Sequence, residues 1–276
     1  MTDQTQLSIK KGASEHLPDA LQKMPELRQI FKGKKPAVFL DYDGCLTPIV
    51  KNPEDAILSL DMKEALQQLA DVCTVAVVSG RDRANVANLV KLDNLYFAGS
   101  HGFDITGPNN LKTEPGGAAA ALPALDEAEK ILAEKLKNIP GALVERKKYA
   151  IAVHYRNVAD EQVANLKQAT DETIGQFEAL KKGLGKKVIE LKPNLDWHKG
   201  KAVLWLLNEL KLDNPEIVPV YIGDDITDED AFESLQNRGL TILVGDHDEQ
   251  TAAQYRLENV AAVKQFLMEL KSFCKE

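Results

Sequence analysis

The stretch AVFLDYDGCLTPIV, from Ala37 to Val50, decides how the rest of the chain is read. Its first four residues are apolar. They run directly into Asp41 and Asp43, which flank a tyrosine and precede Gly44. A continuous apolar run of that length, ended by polar residues and glycine, reads as a strand buried on both faces of a parallel sheet. Two carboxylates at its end repel each other and are costly to desolvate, so a positive partner is expected among them. Two further runs share this design. VAVV (Val75–Val78) ends at Ser79, Gly80 and Arg81, and VPVYI (Val218–Ile222) ends at Gly223, Asp224 and Asp225.

Helical patterns lie between these runs. In SLDMKEALQQLAD, Met62, Ala65, Leu66 and Leu69 recur at helical spacing, with Asp61 expected to cap the start and Glu64 three residues on. In KGKAVLWLLNELK, Ala202, Val203, Leu206, Leu207 and Leu210 form one face. Strand, helix, strand in this order predicts an α/β fold with a parallel sheet. The functional loops of such sheets sit at the carboxyl ends of the strands, where all three polar clusters fall.

The middle of the chain follows another pattern. TEPGGAAAALP (Thr113–Pro123) reads as a linker, and Leu125, Ala128, Leu132 and Leu136 then mark a helix. In ALVERKKYAIAVHYRN, Ile151, Val153 and Tyr155 alternate with Ala152, His154 and Arg156, the period of strands with one covered face. A long helix is predicted from about Val158 to Leu180, followed by GLGKK and a strand VIELKP with Val188, Glu190 and Lys192 on one face. This predicts a small α+β domain inserted between two halves of the α/β domain. The expected division is 1–112 for the first core part (a lead-in to about residue 30), 113–192 for the insert, and 193–276 for the second core part.

Composition narrows the class. The chain has 276 residues, 44% of them apolar and 28% charged, with a net charge of −8. Nothing resembles a basic stripe, which argues against nucleic acid. No run approaches the roughly 18 apolar residues of a membrane span, and the N-terminus lacks a signal-peptide core. The three cysteines, Cys45, Cys73 and Cys274, are far apart, odd in number and without CxxC spacing, which argues against a zinc site or a disulfide framework. A cytoplasmic protein is expected, with a monomer as the default state.

Asp224, Asp225, Asp228, Glu229 and Asp230 fill GDDITDEDAF after the third run. An acidic helix start would account for Asp228–Asp230, since acids stabilise helix N-termini. It does not account for Asp41, Asp43 and Asp224 each following a strand at one sheet edge. Converging carboxylates with room for water and phosphate suit Mg²⁺. Ser79 and Gly80 offer a hydroxyl and backbone N–H groups near a helix start, a common anion cradle, and Lys199 offers a compact charge.

FLDYDGCLTP, VVSGR, AGSHG, HYR, ELKP…KG and YIGDDITDEDAF resemble the signatures of the trehalose-6-phosphate phosphatases, members of the haloacid dehalogenase (HAD) superfamily. The resemblance covers roughly Ala37 to Val244. It implies a HAD-like Rossmannoid parallel-sheet core with an inserted α+β type-2 (C2B) cap, whose polar face would close over the metal site. It implies that Asp41 is the nucleophile, forming an aspartyl-phosphate, and Asp43 the general acid and then base. Ser79 and Lys199 would bind phosphoryl oxygens, with Gly80 and Arg81 beside them. Asp41, the backbone carbonyl of Asp43, and Asp224 would hold Mg²⁺, with Asp225 and Asp228 acting through metal-bound water or supporting hydrogen bonds. In the insert, Glu145, Lys147, Arg156, Lys186 and Glu190 match the family's sugar-contacting positions, Arg156 and Glu190 being expected within strands. His101 would sit near the hinge, ordering the loop or touching substrate. His154 is expected to be structural, and Trp197 to pack at the mouth of the site. The family usually has Thr where this chain has Cys45, a change expected to loosen the loop slightly without loss of chemistry.

The implied activity is Mg²⁺-dependent hydrolysis of trehalose 6-phosphate to trehalose and phosphate. Other sugar phosphates, such as sucrose phosphate or glucosylglycerol phosphate, and a phosphomutase-like reaction are the alternatives. A non-enzymatic relic would tolerate loss of Asp41, Asp43, Lys199 or Asp224, and all four are present.

Overall fold

The computed structural model describes residues 11–114, 117–185, 187–247 and 250–274. The chain divides into two compact units. One comprises Met1–Val78, Leu89–Tyr96 and His198–Glu276; the other comprises Ser79–Asn88 and Phe97–Trp197. Strands and helices are numbered in chain order.

In the first unit, β1 (Gly12–Ala13) pairs with β13 (Gln250–Thr251), and α1 (Met24–Ile30) leads into the sheet. Its parallel strands are β2 (Lys35–Leu40), β3 (Thr74–Val78), β11 (Ile217–Gly223), β12 (Leu240–Val244) and β14 (Tyr255–Leu257). They lie in the order β14-β12-β11-β2-β3. The three apolar runs read from the sequence are β2, β3 and β11. Val38, Phe39, Leu40, Val77, Val78, Tyr221 and Ile222 are fully buried, as continuous apolar strands require. In register Leu40 faces Ile222 and Val77, so these strands deliver their C-terminal loops to one edge of the sheet.

The unit's longer helices are α2 (Leu60–Ala70), α6 (Lys199–Glu209) and α8 (Val260–Phe273), with the shorter α7 (Glu229–Leu235). The start of α2 differs from expectation. Ser59, not Asp61, is the N-cap, its hydroxyl accepting from the Met62 amide at 3.3 Å. The helix begins at Leu60, two residues earlier than a cap at Asp61 would place it. Asp61 then falls inside the first turn, where its carboxylate also accepts from Met62 N–H at 2.9 Å. Leu210 is the C-cap of α6 and is only half-buried, unlike Ala202, Val203, Leu206 and Leu207.

The second unit holds two antiparallel groups. One is β4 (Tyr96–Gly99), β5 (Asp104–Gly107) and β6 (Leu111–Thr113). The other is β7 (Leu143–Lys147), β8 (Ala150–His154), β9 (Leu180–Gly185) and β10 (Val188–Pro193), in the order β7-β8-β10-β9. The helices α4 (Leu122–Leu136) and α5 (Asp160–Ile174) cover this second sheet. Leu125, Ala128, Leu132 and Leu136 of α4 pack with Ile151, Val153, Ile189, Leu191 and Leu166 in one core. The short α3 (Arg83–Val90) follows Ser79–Gly80–Arg81.

Three expectations change here. The helix predicted to Leu180 ends at Ile174, with Gly175 as its C-cap, and Leu180–Gly185 forms β9. Gly183 and Gly185 depress strand propensity, which hid β9 in the sequence. The Ala-rich part of the linker is packed: Ala118 and Ala121 are buried, and Ala118 packs with Phe103 and Tyr149, while residues 115 and 116 lie outside the described residues. Arg156 lies beyond the end of β8, exposed in a turn, rather than within a strand, because the ladder closes at His154.

Candidate active site

Asp41 immediately follows β2, and Asp224 follows β11. Asp228 lies one turn further on, in a 3₁₀ turn (Ile226–Asp228) that enters α7. Lys199 opens α6. All four are buried: Asp41 is 6% exposed, Asp224 6%, Lys199 2% and Asp228 0%. The Lys199 ammonium lies 2.8 Å from Asp228 Oδ1 and 3.2 Å from Asp41 Oδ2.

Each of these side chains has a local reason for its place. The amides of Asp224 and Asp225 both donate to Asp228 Oδ2 at 3.1 Å, and the Tyr221 hydroxyl donates to Asp228 Oδ1 at 2.6 Å. With Lys199, that gives Asp228 four donors, so a fully buried carboxylate is satisfied. Gly44 adopts φ +80°, and a Cβ there would stand 2.1 Å from Asp224 Oδ2. Only glycine leaves room for that carboxylate. The turn is closed by Leu46 and Thr47 amides donating to the Tyr42 carbonyl at 2.9 and 3.1 Å. Asp225 caps the 3₁₀ turn, accepting from the Ile226 amide at 2.8 Å.

The charges do not balance. Burial pushes the Asp41 carboxyl well above its ordinary value; Lys199 opposes this, and Asp228, Asp224 and Asp43 reinforce it. Burial alone would lower Lys199, but Asp228 and Asp41 more than compensate and hold the ammonium protonated. Oxygen atoms of Asp41, Asp224 and Asp228 lie within 4.8 Å of one another. A set of hard carboxylate oxygens with surplus negative charge fits a divalent cation. Asp43 is half-buried beside this set and is not one of the three.

The remaining candidates belong to the second unit. Ser79 is 1% exposed; its amide donates to Ala98 O at 2.9 Å, its carbonyl accepts from His101 N–H at 2.9 Å, and its hydroxyl accepts from Arg81 N–H at 3.2 Å. Gly80 supports the His101 ring, since a Cβ there would stand 3.0 Å from His101 Cε1. His101 is itself in the left-handed region at φ 57° and 5% exposed. Its Nε2 lies 2.5 Å from Glu190 Oε2. Lys147 Nζ donates to Glu190 Oε1 at 3.1 Å and to the Gly80 carbonyl at 2.9 Å. Burial would raise the Glu190 carboxyl, but His101 and Lys147 outweigh it and hold it well below the ordinary range.

Glu145 stands two residues before Lys147 and pairs with His154 Nε2 at 2.8 Å. That hydrogen bond, against burial and with help from Lys147, lowers the Glu145 carboxyl. Lys186 lies outside the described residues. Trp197 packs on the Phe103–Ala118–Tyr149 cluster.

Two contributors carry no signal in the sequence pattern. Tyr221 falls within an apolar run, although a tyrosine in a fully buried strand requires a partner for its hydroxyl. Asp82 is the other; its carboxylate accepts from the Lys148 amide at 2.9 Å and so ties the turn after Ser79–Gly80–Arg81 to the end of β7.

An α/β protein whose parallel strands present buried carboxylates, one buried ammonium and a cation-sized charge surplus has the equipment for handling phosphoryl groups. The particular family follows from comparison. The trehalose-phosphatase family model matches residues 39–261, and the chain belongs to that family. A trehalose-phosphate phosphatase of Mycobacterium bovis (strain BCG / Pasteur 1173P2) is 43% identical over 272 residues, 96% of this chain and 69% of that protein. A protein of Mycobacterium tuberculosis H37Rv named an uncharacterized glycosyl hydrolase is 46% identical over 265 residues, 94% of this chain. The chain spans 20% of that relative's length. The solved C-terminal domain of a C. albicans trehalose-6-phosphate phosphatase superposes with a TM-score of 0.79 at 25% identity, covering 93% of this chain and 98% of that one. The parallel-sheet architecture and this likeness agree with a HAD-like fold. Among the described residues no helix is long and apolar enough to cross a membrane.

Proposed function

We propose that this chain is a Mg²⁺-dependent phosphatase that hydrolyses trehalose 6-phosphate through an aspartyl-phosphate on Asp41. The observation that carries the reading is the Lys199 ammonium held between Asp41 and Asp228, beside Asp224, in a cluster with surplus negative charge. Family membership and the M. bovis relative support the substrate class.

In this reading an Asp41 carboxylate oxygen attacks phosphorus and the bond to the sugar oxygen breaks. Asp43 gives its proton to the departing sugar oxygen. Asp43, now a carboxylate, takes a proton from water as that water attacks the aspartyl-phosphate, releasing phosphate and restoring Asp41. Lys199 favours the ionised form of Asp41 against burial and the neighbouring carboxylates, and accepts part of the charge that spreads over the phosphoryl oxygens. Ser79 donates to a phosphoryl oxygen, its hydroxyl keeping one proton for the purpose while it accepts from Arg81. Asp41, the Asp43 carbonyl and Asp224 would hold Mg²⁺, with Asp228 fixing Lys199 and the Asp224 backbone, and Asp225 acting through bound water. When bound, that ion neutralises the carboxylate surplus and polarises the phosphoryl group. The insert 113–192 is assigned as a type-2 cap, and Glu145, Lys147, Arg156, Lys186 and Glu190 as its sugar-binding groups.

Phosphate release from a panel of sugar phosphates, with and without Mg²⁺, tests the reading. Trehalose 6-phosphate is expected to exceed the others by at least about tenfold in kcat/KM, about 1.4 kcal/mol, with turnover lost on chelation. A stronger preference for sucrose phosphate or glucosylglycerol phosphate replaces the substrate and keeps the chemistry. Turnover unaffected by chelation removes the metal assignment.

A further inference from the structure

Two of the three cysteines have no part in this chemistry. Cys73 lies between α2 and β3, and Cys274 is the C-cap of α8. Both are free, half-buried thiols, whereas Cys45 is fully buried. They are 201 positions apart in sequence (274 − 73), yet α2 and α8 pack side by side.

Two side-chain bridges set the alignment of these helices. Lys264 of α8 pairs with Asp61 at the start of α2, and seven residues along both helices Lys271 Nζ donates to Gln68 Oε1 at 2.6 Å. Seven residues is two helical turns, so the helices run in the same direction and in step. Cys73 and Cys274 come next in this series, just beyond the two helix ends, and each thiol is the largest influence on the titration of the other. Cys73 is held by its amide donating to Leu69 O at 3.0 Å, and Cys274 by its amide donating to Lys271 O at 3.2 Å.

The surroundings of Cys274 suit a thiolate. It lines a cavity of about 530 Å³ whose charged lining residues are Arg28, Lys32, Lys34 and Lys35. No carboxylate lines that cavity among the described residues, although the chain as a whole carries a net charge of −8. The Arg28 guanidinium lies 4.9 Å from the centre of the Phe273 ring, beside Cys274. The hydrogen bond from Cys73 lowers the Cys274 thiol, burial opposes this, and Lys35 adds to the lowering. Its partner is displaced the other way: the hydrogen bond to Cys274, and then burial, raise the Cys73 thiol. One half-buried thiol lining a cavity of cationic side chains, with a second thiol beside it that does not line that cavity, makes a dithiol redox site.

We propose that Cys274 and Cys73 form a reversible disulfide when the protein meets a hydroperoxide. The Cys274 thiolate attacks one peroxide oxygen and the O–O bond breaks. With hydrogen peroxide, the departing hydroxide takes up a proton and leaves as water. Sulfur is oxidised by two electrons to the sulfenic acid. The Cys73 sulfur then attacks the Cys274 sulfur, and the sulfenic hydroxyl leaves as water with the Cys73 proton. In sum, two thiols and one hydrogen peroxide give one disulfide and two waters. An external dithiol reverses the change. The bridge ties the end of α8 to the start of β3, at the amino end of that strand. The carboxylates of the candidate active site lie at the carboxyl ends of β2 and β11, so oxidation changes stability rather than catalysis.

The full chain, reduced and then treated with hydrogen peroxide, tests this. After alkylation and non-reducing digestion, the peptides carrying Cys73 and Cys274 are expected as one cross-linked species, with the intact chain lighter by two hydrogens. Dithiothreitol should reverse the mass change. Tm is expected to rise by about 5 °C or more on oxidation, since the bridge closes a long loop in the unfolded chain. Cys274→Ser should show neither the cross-link nor the rise in Tm. Cys73→Ala should leave a Cys274 sulfenic acid that dimedone traps. The proposal is overturned if Cys274 gains oxygen without a cross-link in the unsubstituted chain. It is equally overturned if the disulfide forms only between chains, or if both thiols stay reduced while free glutathione in the same tube is oxidised.

Discussion

Both units bury ionised groups, but they do so on opposite terms. In the first unit, three carboxylates surround one ammonium, and the buried set carries surplus negative charge. In the second, Glu190 lies between Lys147 and His101, and its carboxylate is met on both oxygens. A balanced buried pair stands on its own once its hydrogen bonds are made. An unbalanced one is costly until a ligand completes it, and that incompleteness is what a cation-dependent catalyst requires. The first cluster is therefore where chemistry is expected, and the second holds the His101 loop in place.

The largest effect is expected from Asp41→Asn. The change removes the attacking oxygen's charge and relieves the repulsion with Asp224 and Asp228. Turnover should fall by at least about 10⁴-fold, as loss of a nucleophile does elsewhere, while the fold is kept or stabilised. Steady-state phosphate release and a thermal melt check both halves. Retained turnover would remove the nucleophile assignment, and with it the contrast between the two clusters.

Gly44→Ala comes next. The new Cβ would overlap Asp224 Oδ2, and φ +80° is strained for alanine. Displacing Asp224 by about 1 Å should lower kcat/KM by about 100-fold and weaken Mg²⁺ binding in parallel. Calorimetric titration with Mg²⁺ separates the two. Normal metal affinity with lost turnover would place Asp224 outside the metal set. The matching position in the second unit is Gly80, whose Cβ would meet only the edge of the His101 ring at 3.0 Å. A ring can shift where a packed carboxylate cannot, so Gly80→Ala serves as the mild control.

These substitutions also show what a sequence reveals. Asp41, Asp224 and Lys199 were legible because each ends or opens a strongly patterned element, and the pattern places it on the sheet. An acidic cluster able to hold a metal was legible because carboxylates follow two such strand ends, those of β2 and β11. Asp228 was legible as a residue but not as the acceptor of four hydrogen bonds, since Tyr221 and two backbone amides reach it only in three dimensions. In the insert, β9 was hidden by Gly183 and Gly185. The pairing of His101 with Glu190 joins residues 89 positions apart, so no local pattern carries it.

Glu190→Gln tests the balanced cluster. Gln keeps the shape and some hydrogen bonding but removes the charge that Lys147 and His101 share. A loss of about 1–3 kcal/mol is expected near neutral pH. Because the Glu190 carboxyl is held below its ordinary value of 4.5, its stabilisation is fully present above about pH 4.5. It is lost as pH falls through the lower, folded-state value. The unsubstituted chain should therefore lose stability steeply in acid, and Glu190→Gln should flatten that limb. Under the proposed sugar-binding role, KM should rise more than kcat falls. Equal acid limbs in the two proteins would show that the cluster contributes no charge-dependent stability.

Cys45→Thr should produce the smallest effect, and it probes the one residue where the catalytic loop leaves the family pattern. Cys45 is completely buried next to the unbalanced cluster. Burial pushes its thiol well up, and Asp224 and Asp41 push it further, so it stays protonated and unreactive. The backbone of the loop is held without it, by Leu46 and Thr47 amides on the Tyr42 carbonyl. A hydroxyl is a better donor than a thiol beside carboxylates, so Thr should stabilise by up to about 1 kcal/mol, with kcat/KM changing by less than about twofold. Thermal melts and steady-state kinetics check this, and alkylation of the native chain should modify Cys274 while sparing Cys45. A loss of more than 1 kcal/mol in Cys45→Thr would mean that the pocket is shaped for sulfur, because the added branch would then be overpacking a site with no space for it. Rapid alkylation of Cys45 would mean that the loop opens readily, and would weaken the case that its carboxylates are held dry and under mutual repulsion until a cation arrives.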